Sequence, residues 1–137
     1  MTALDCTGSW DTSPPIGRPI AGHTTYVVDD QLNPAPPGTP GELLVGGPGL
    51  PHGYLGRPGL TASSFVPNPF GDSQGARLCR TGGLVQELPS GDLRFLSRKD
   101  RQTKINGVRI ELGEFESAMA ALDGVAQAYV RSVPDRR

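Results

Sequence analysis

The sequence predicts an α+β fold made mostly of short β-strands, with one substantial helix near the C-terminus. Glycine and proline, with 19 and 14 residues, supply nearly a quarter of the 137 residues, about twice their usual share. So many breakers exclude long helices over most of the chain. Helical periodicity is clear only once, where Phe115, Met119 and Leu122 fall at i, i+4 and i+7.

In the first half of the chain, β-branched, aromatic and aliphatic runs predict strands at Thr24–Asp29 and Glu42–Gly46. Residues 1–23 and the proline-rich stretch 33–41 are expected to be irregular. A short helical turn is predicted at Thr61–Phe65, with Thr61 as its N-cap.

The second half is predicted to form a meander followed by a small β-β-α-β piece. A good hairpin turn, Pro89-Ser90-Gly91, joins two of the meander strands, and the helix through Phe115 is expected to stop at Gly124. The predicted strands are Arg77–Thr81, Leu84–Leu88, Asp92–Leu96, Thr103–Asn106, Val108–Ile110 and Val125–Arg131.

Composition excludes several classes of function. The net charge is −1, with 13 basic and 14 acidic residues spread along the chain, so no basic surface for nucleic acid is expected. No apolar run is long enough to span a membrane. Cys6 and Cys79 are expected to be free thiols in a reducing, cytoplasmic setting, and His23 and His52 lack partners at metal-ligand spacing, so no metal site is expected.

Four motifs carry chemical information, and they occur in a characteristic order. Together they resemble the adenylation domains of nonribosomal peptide synthetases, which are adenylate-forming, AMP-binding enzymes. The resemblance extends from about Pro14 to Val130. The motifs are Gly17-Arg18-Pro19-Ile20, the run from Gly41-Glu42-Leu43 through Gly53-Tyr54 to Leu60-Thr61, Arg80-Thr81-Gly82, and the long run from Arg98 to Glu116.

The resemblance implies two incomplete domains. Residues 1–97 would be the C-terminal part of the large adenylation subdomain, distorted and β-barrel-like. Residues 98–137 would begin the small mobile C-terminal domain, with a hinge at about 98–101. The intact parent would use ATP and Mg²⁺ to activate an amino acid, and would then load it onto the phosphopantetheine of a peptidyl carrier protein.

The resemblance also assigns roles to individual residues. Arg98, Thr81 and Gly82 would bind the nucleotide, although Gly83 stands where the family has an Asp that accepts hydrogen bonds from the ribose. Asp100 would be the hinge residue, and Lys104 and Gly107 would belong to a loop used in the thioester step. From the residues alone, Arg80–Gly82 is a plain strand end and 98–104 an exposed charged turn.

Leu4 and Asp5 would align with the substrate pocket, the alternative being a frayed N-terminus. The family's phosphate loop, its acidic Mg²⁺ residue and its C-terminal lysine are absent from this sequence. The chain is therefore predicted to be inactive alone, with the remainder of the adenylation domain and a carrier protein as partners. Two alternatives stay open: half of a split enzyme completed by a partner chain, or a non-catalytic β-rich binding module.

Overall fold

The computed structural model describes residues 1–6, 13–71, 75–99, 102–105, 108–131 and 133. The fold is α+β and consists mostly of strands, as predicted. The chain forms two compact units, Met1–Lys99 and Asp100–Arg137. The elements are β1 (Thr2–Ala3), β2 (Arg18–Pro19), β3 (Thr24–Val28), β4 (Gly41–Gly46), α1 (Pro58–Ser64), β5 (Phe65–Pro67), β6 (Arg77–Glu87), β7 (Leu93–Arg98), β8 (Gln102–Ile105), β9 (Val108–Glu111) and α2 (Leu112–Ala120).

A five-stranded antiparallel sheet dominates the first unit. Strands β3, β4 and β6 lie side by side, and β6 then pairs with β5 along its first residues and with β7 along its last. The sheet does not close into a barrel. The hairpin turn predicted between β6 and β7 is present: the Gly91 N–H donates to the Leu88 carbonyl, and Gly91 has a φ of +81°.

Strand β6 replaces the two separate strands that were predicted at Arg77–Thr81 and Leu84–Leu88. Glu42 pairs with Leu84 and Leu44 pairs with Arg80, so three residues of β6 face a single residue of β4. The chain accommodates this bulge because Gly82 has a φ of +66°, a conformation that glycine adopts readily. The Gly82-Gly83 pair therefore bends one strand instead of separating two.

Two small apolar clusters pack on this sheet. One contains Val28, Leu44 and Leu78, and the other contains Leu43, Val85 and Leu93. Successive strand residues point to opposite faces of the sheet, so Leu44 packs in the first cluster and Leu43 in the second. Both faces of β4 are thus covered, which explains its nearly continuous apolar sequence.

The segment predicted to be irregular at the N-terminus contains the short pair β1–β2, which local sequence signals did not reveal. Gly17 precedes β2 with a φ of +78°, and a Cβ there would lie 1.8 Å from the carbonyl oxygen of Ala3. The Ile16 N–H donates to the Leu93 carbonyl at 2.7 Å. Residues 16–19 are therefore held in place by long-range contacts with β1 and β7.

Helix α1 begins earlier than predicted, and Thr61 is not its N-cap. Pro58 occupies the first turn after Arg57, a position where proline costs nothing because the N–H it lacks would be unpaired. Thr61 lies inside the helix, where its hydroxyl donates to the Arg57 carbonyl and accepts the Tyr54 N–H, both at 2.9 Å.

In the second unit, the two predicted strands and the helix are present as β8, β9 and α2. Helix α2 ends at Ala120, before the predicted stop at Gly124. The predicted strand at Val125–Arg131 is wrong, since these residues have no regular secondary structure. The Val130 N–H donates to the Glu116 carboxylate at 2.7 Å. This backbone donor is therefore bonded to a side chain and not to a neighbouring strand.

Two leucines of the first unit that differ in burial provide a test of the apolar clusters. Leu44 is completely buried and Leu55 is fully exposed. We expect Leu44→Ala to lower the free energy of unfolding by about 2–5 kcal/mol through lost burial and the cavity left behind. Leu55→Ala, the matched control, should change it by less than about 0.5 kcal/mol. Urea unfolding followed by circular dichroism measures both, and equal losses would contradict this description of the core.

Candidate functional site

The bulge in β6 brings together three of the residues predicted to bind nucleotide. Gly83 pairs with Arg98 of β7. The Arg98 Nη2 donates to the Thr81 carbonyl at 2.8 Å, and the Lys99 N–H donates to the Gly82 carbonyl at 2.8 Å. The end of β7 is therefore hydrogen-bonded to backbone carbonyls of the Thr81–Gly83 segment.

The Thr81 side chain is engaged within the sheet. Its hydroxyl donates to the Leu43 carbonyl at 2.7 Å and accepts the Gly83 N–H at 3.0 Å. Leu43 is the single β4 residue opposite the bulge, so the Thr81 hydroxyl replaces a ladder hydrogen bond that the bulge removes. In this structure Thr81 stabilises the bulge.

Gly83 is buried, but its backbone does not require glycine. Its φ lies outside the left-handed range, and a Cβ would lie 3.2 Å from the Thr81 Oγ1 and 3.6 Å from the Phe95 ring. A Cβ at this position would therefore need only a small shift of the Thr81 hydroxyl. Without a side chain, this position offers no carboxylate to ribose hydroxyls, so the described residues do not fit the nucleotide in the way that the resemblance implies.

A buried carboxylate lies one strand away from this segment. Glu42 of β4 is only 3% exposed, and it accepts two hydrogen bonds from the Arg80 guanidinium, at 2.6 and 3.2 Å. The Lys99 ammonium lies 3.6 Å from the same carboxylate and also pairs with Asp30. These four side chains, Asp30, Glu42, Arg80 and Lys99, are called the charge network below.

Sequence reasoning missed the charge network. Its available signal was Glu42 itself, a charged residue at the start of the apolar run Leu43-Leu44-Val45. A carboxylate in a strand covered on both faces requires a cationic partner. The sequence could not identify that partner, because Arg80 lies 38 residues further along the chain.

The electrostatics of Glu42 favour its charged form. Burial raises the pKa of the carboxyl group, but the hydrogen bonds and charge of Arg80, together with the charge of Lys99, outweigh that effect and hold the pKa below its ordinary value. The same pairing raises the pKa of Arg80. Both groups of the pair therefore remain charged at neutral pH.

An open cavity of about 270 Å³ borders the charge network. Its wall combines carboxylates and an ammonium with backbone and aliphatic surface. The lining residues are Val28, Asp29, Asp30, Pro40, Gly41, Glu42, Leu84 and Lys99.

The remaining predicted site residues lie elsewhere. Leu4 is half-buried and Asp5 is exposed, directly after β1. Lys104 lies in β8 of the second unit, where it pairs with Arg109. Asp100 and Gly107 fall outside the described residues.

Within the described ranges, no three His, Cys, Asp or Glu side chains are placed to hold a metal ion. No helix in that same part of the chain is long and apolar enough to cross a membrane. Cys6 and Cys79 are free thiols.

The sequence is similar to those of several known proteins. The family described as "AMP-binding enzyme" matches residues 1–55. A linear gramicidin synthase of Brevibacillus parabrevis is 57% identical over 118 residues, which are 86% of this chain and 2% of that protein. Phosphinothricin tripeptide synthetase PhsC of Streptomyces viridochromogenes is 51% identical over 120 residues, which are 88% of this chain and 11% of that protein.

Solved structures show the same relationship. The crystal structure of IdnL1 superposes with a TM-score of 0.77 at 37% identity, over 90% of this chain and 26% of that one. PA1221, an NRPS protein containing adenylation and PCP domains, superposes with a TM-score of 0.69 at 35% identity, over 80% of this chain and 22% of that one.

The fold, the motifs and these matches relate the chain to the AMP-binding enzyme family, whose model covers residues 1–55. Within that family it is a relative of the adenylation domains of nonribosomal peptide synthetases. The chain spans between 2% and 11% of the length of the two curated relatives described above.

The buried Glu42–Arg80 pair predicts a specific pH dependence. Because the pKa of Glu42 is lowered in the folded state, its contribution to stability is complete above the ordinary glutamate pKa of about 4.3. That contribution is lost as the pH falls through the lower folded-state pKa. We expect Glu42→Gln to cost about 2 kcal/mol at pH 7, since it leaves Arg80 without its charged partner, and to cost progressively less below pH ~4.

Urea unfolding at a series of pH values measures this difference. Glu87→Gln is the matched control: Glu87 is a half-buried residue at the end of the same strand, β6, and its replacement should change stability by less than about 0.5 kcal/mol. A Glu42→Gln cost that stays constant from pH 7 to pH 3 would refute the charge assignment.

Proposed function

We propose that this chain is part of an amino-acid-adenylating module of nonribosomal peptide synthesis, acting in the cytoplasm. The observation that carries the proposal is sequence identity above 50%, across 86–88% of this chain, with a linear gramicidin synthase and a phosphinothricin tripeptide synthetase. The four motifs fall inside or next to this region, and RIELGEFE at 109–116 favours amino acids over other carboxylic acids.

The proposed reaction has two steps. An amino acid carboxylate attacks the α-phosphorus of ATP, the bond to the β-phosphate oxygen breaks, and pyrophosphate leaves. Mg²⁺ would neutralise part of the charge on the phosphates. The thiol of a phosphopantetheine on a carrier protein then attacks the aminoacyl carbonyl, and AMP leaves. One solved neighbour combines adenylation and PCP domains in a single protein, which supports a carrier protein as partner.

In this proposal the residues of the bulge form one wall of the nucleotide site. Arg98, Thr81 and Gly82 lie together there, and Gly83 leaves the ribose without its expected acceptor. Asp100 would be the hinge, Lys104 and Gly107 would serve the thioester step, and Leu4 and Asp5 would border the substrate pocket.

Exposed apolar surface supports the idea that the chain works as part of a larger protein. Phe115 and Met119 lie four residues apart on α2, and Leu122 follows two residues after its end; they are 53%, 37% and 61% exposed. Exposed apolar side chains arranged on one face mark a surface that another element covers. The remainder of an adenylation domain is the proposed cover.

The first functional test is amino-acid-dependent exchange of pyrophosphate into ATP. Charge that develops on the phosphates needs cationic groups and backbone donors around it, and the sequence lacks the family's phosphate loop and C-terminal lysine. We expect exchange with a synthetase that includes this chain, and none above background with the 137 residues alone. Exchange by the isolated chain would refute its predicted inactivity.

The same assay tests the alternatives. Exchange that appears only when a separate chain carrying the phosphate loop is added would favour a split enzyme. A synthetase that binds amino acids without any exchange would favour a non-catalytic module and would refute the proposed function.

Gly83 provides a second test. Restoring the carboxylate by Gly83→Asp in the synthetase should lower the KM for ATP about ten- to a hundredfold, because a hydrogen bond to a charged group contributes about 1.5–3 kcal/mol. Gly83→Ala is the control, since it adds the Cβ near Thr81 and Phe95 without an acceptor. Equal effects of the two substitutions would contradict a ribose contact at this position.

A further inference from the structure

The function proposed above gives no role to the first of the four motifs, Gly17-Arg18-Pro19-Ile20. We infer that Arg18 is a positioning residue for the amino-acid site, because its side chain attaches β2, and through it β1, to the turn between β6 and β7. The inference rests on the proposed function, in which Leu4 and Asp5 border the substrate pocket. These two residues directly follow β1.

The position of β1 depends on β2. The two strands form a two-stranded antiparallel sheet, in which Ala3 pairs with Arg18. Just beyond the pair, the Ile20 N–H donates to the Met1 carbonyl at 3.1 Å. The approach is close, since a Cβ at Gly17 would lie 1.8 Å from the Ala3 carbonyl oxygen. A shift of β2 would therefore move β1 and the two residues that follow it.

The backbone before β2 is attached to the first residue of β7. The Ile16 N–H donates to the Leu93 carbonyl at 2.7 Å, and the Leu93 N–H donates to the Gly17 carbonyl at 2.9 Å. The Ile16 side chain packs against the apolar cluster that contains Leu93. These contacts hold one end of the segment and leave the orientation of β2 to be fixed by a second attachment.

The Arg18 side chain makes that second attachment at the hairpin turn. Its Nε donates to the Asp92 Oδ1 at 3.1 Å, and its Nη2 donates to the Ser90 carbonyl. The Ser90 hydroxyl donates to the other oxygen of the Asp92 carboxylate at 2.7 Å. One guanidinium thus bonds to two residues of the turn at once, which its fixed planar set of donors allows.

The attachment is weak but specific. The hydrogen bond from Ser90, and then the hydrogen bond and charge of Arg18, hold the pKa of the Asp92 carboxyl group below its ordinary value. The Arg18 and Asp92 side chains are 63% and 22% exposed, so solvent screens their attraction. We therefore expect loss of the attachment to loosen β1 without unfolding the sheet.

The effect should fall on the amino acid and not on ATP. The proposed nucleotide segment, Thr81–Gly83, lies at the other end of the β6–β7 hairpin, where Gly83 pairs with Arg98. The end of the hairpin next to the turn is the pair of Glu87 with Leu93. Four residues of β6 separate these two pairs, which is about 13 Å of strand.

The test uses the synthetase that includes this chain, with Arg18→Met, Asp92→Ala, their double variant and Arg94→Met. Arg94→Met is the matched control, because Arg94 is an exposed arginine in β7, two residues after Asp92. Amino-acid-dependent pyrophosphate exchange gives the KM for the amino acid and the KM for ATP. We expect Arg18→Met to raise the amino-acid KM about three- to tenfold and to leave the ATP KM within about twofold. Both KM values should stay native in Arg94→Met.

The double variant tests whether Arg18 acts through Asp92. If it does, the amino-acid KM of the double variant should not exceed the larger of the two single effects, because both substitutions remove the same contact. Independent effects that multiply in the double variant would overturn the attachment as the cause.

The remaining outcomes separate positioning from general stability and from the proposed function. A lower maximal rate with both KM values unchanged shows only a loss of folded enzyme and overturns the inference. An unchanged amino-acid KM, or an equal rise of both KM values, also overturns it and leaves the proposed function standing. Absence of exchange in the unmodified synthetase overturns the proposed function, and the positioning role with it. If Arg18→Met does not fold, Arg18→Lys replaces it, and the same two KM values decide.

Discussion

The structure of the first unit depends on the buried charge of Glu42. A carboxylate that is 3% exposed in the middle of a sheet is unfavourable unless a cation meets it with good geometry. Arg80 supplies two hydrogen bonds, but it pairs in register with Leu44 and not with Glu42. The bulge at Thr81–Gly83 lies between these two register points. The ion pair and the bulge are therefore two parts of one arrangement, and the proposed nucleotide-binding segment is the bulge itself.

The sequence was sufficient to predict the elements that are determined by residues close together in the chain. The hairpin at Pro89-Ser90-Gly91 has its turn chemistry within three residues, and α2 has its periodicity within one stretch of chain. The strand at Gly41–Gly46 was readable because both of its faces are covered, which makes it apolar throughout most of its length. In each case the residues that determine the element are neighbours in the sequence.

Features with distant causes were not predictable in the same way. The pair β1–β2 forms because Gly17 permits a close approach to Ala3, and no local pattern reports that contact. The strand expected at Val125–Arg131 had the right alternation, but the described structure provides it with no sheet neighbour. The motifs placed Thr81, Gly82 and Arg98 in one site, yet they did not reveal that the Thr81 hydroxyl and the Arg98 guanidinium donate to backbone carbonyls of the sheet.

The two glycines of the bulge differ in whether the backbone conformation requires a glycine. Gly82 has a φ of +66°, so a side chain there would strain the backbone that lets three residues of β6 face one residue of β4. Gly83 has no such constraint, and a Cβ would make contacts no closer than 3.2 Å. The backbone conformation therefore accounts for the glycine at position 82 and does not account for the glycine at position 83. Because the sheet permits a Cβ at position 83, the fold did not impose the absence of the carboxylate that the proposed nucleotide site would use.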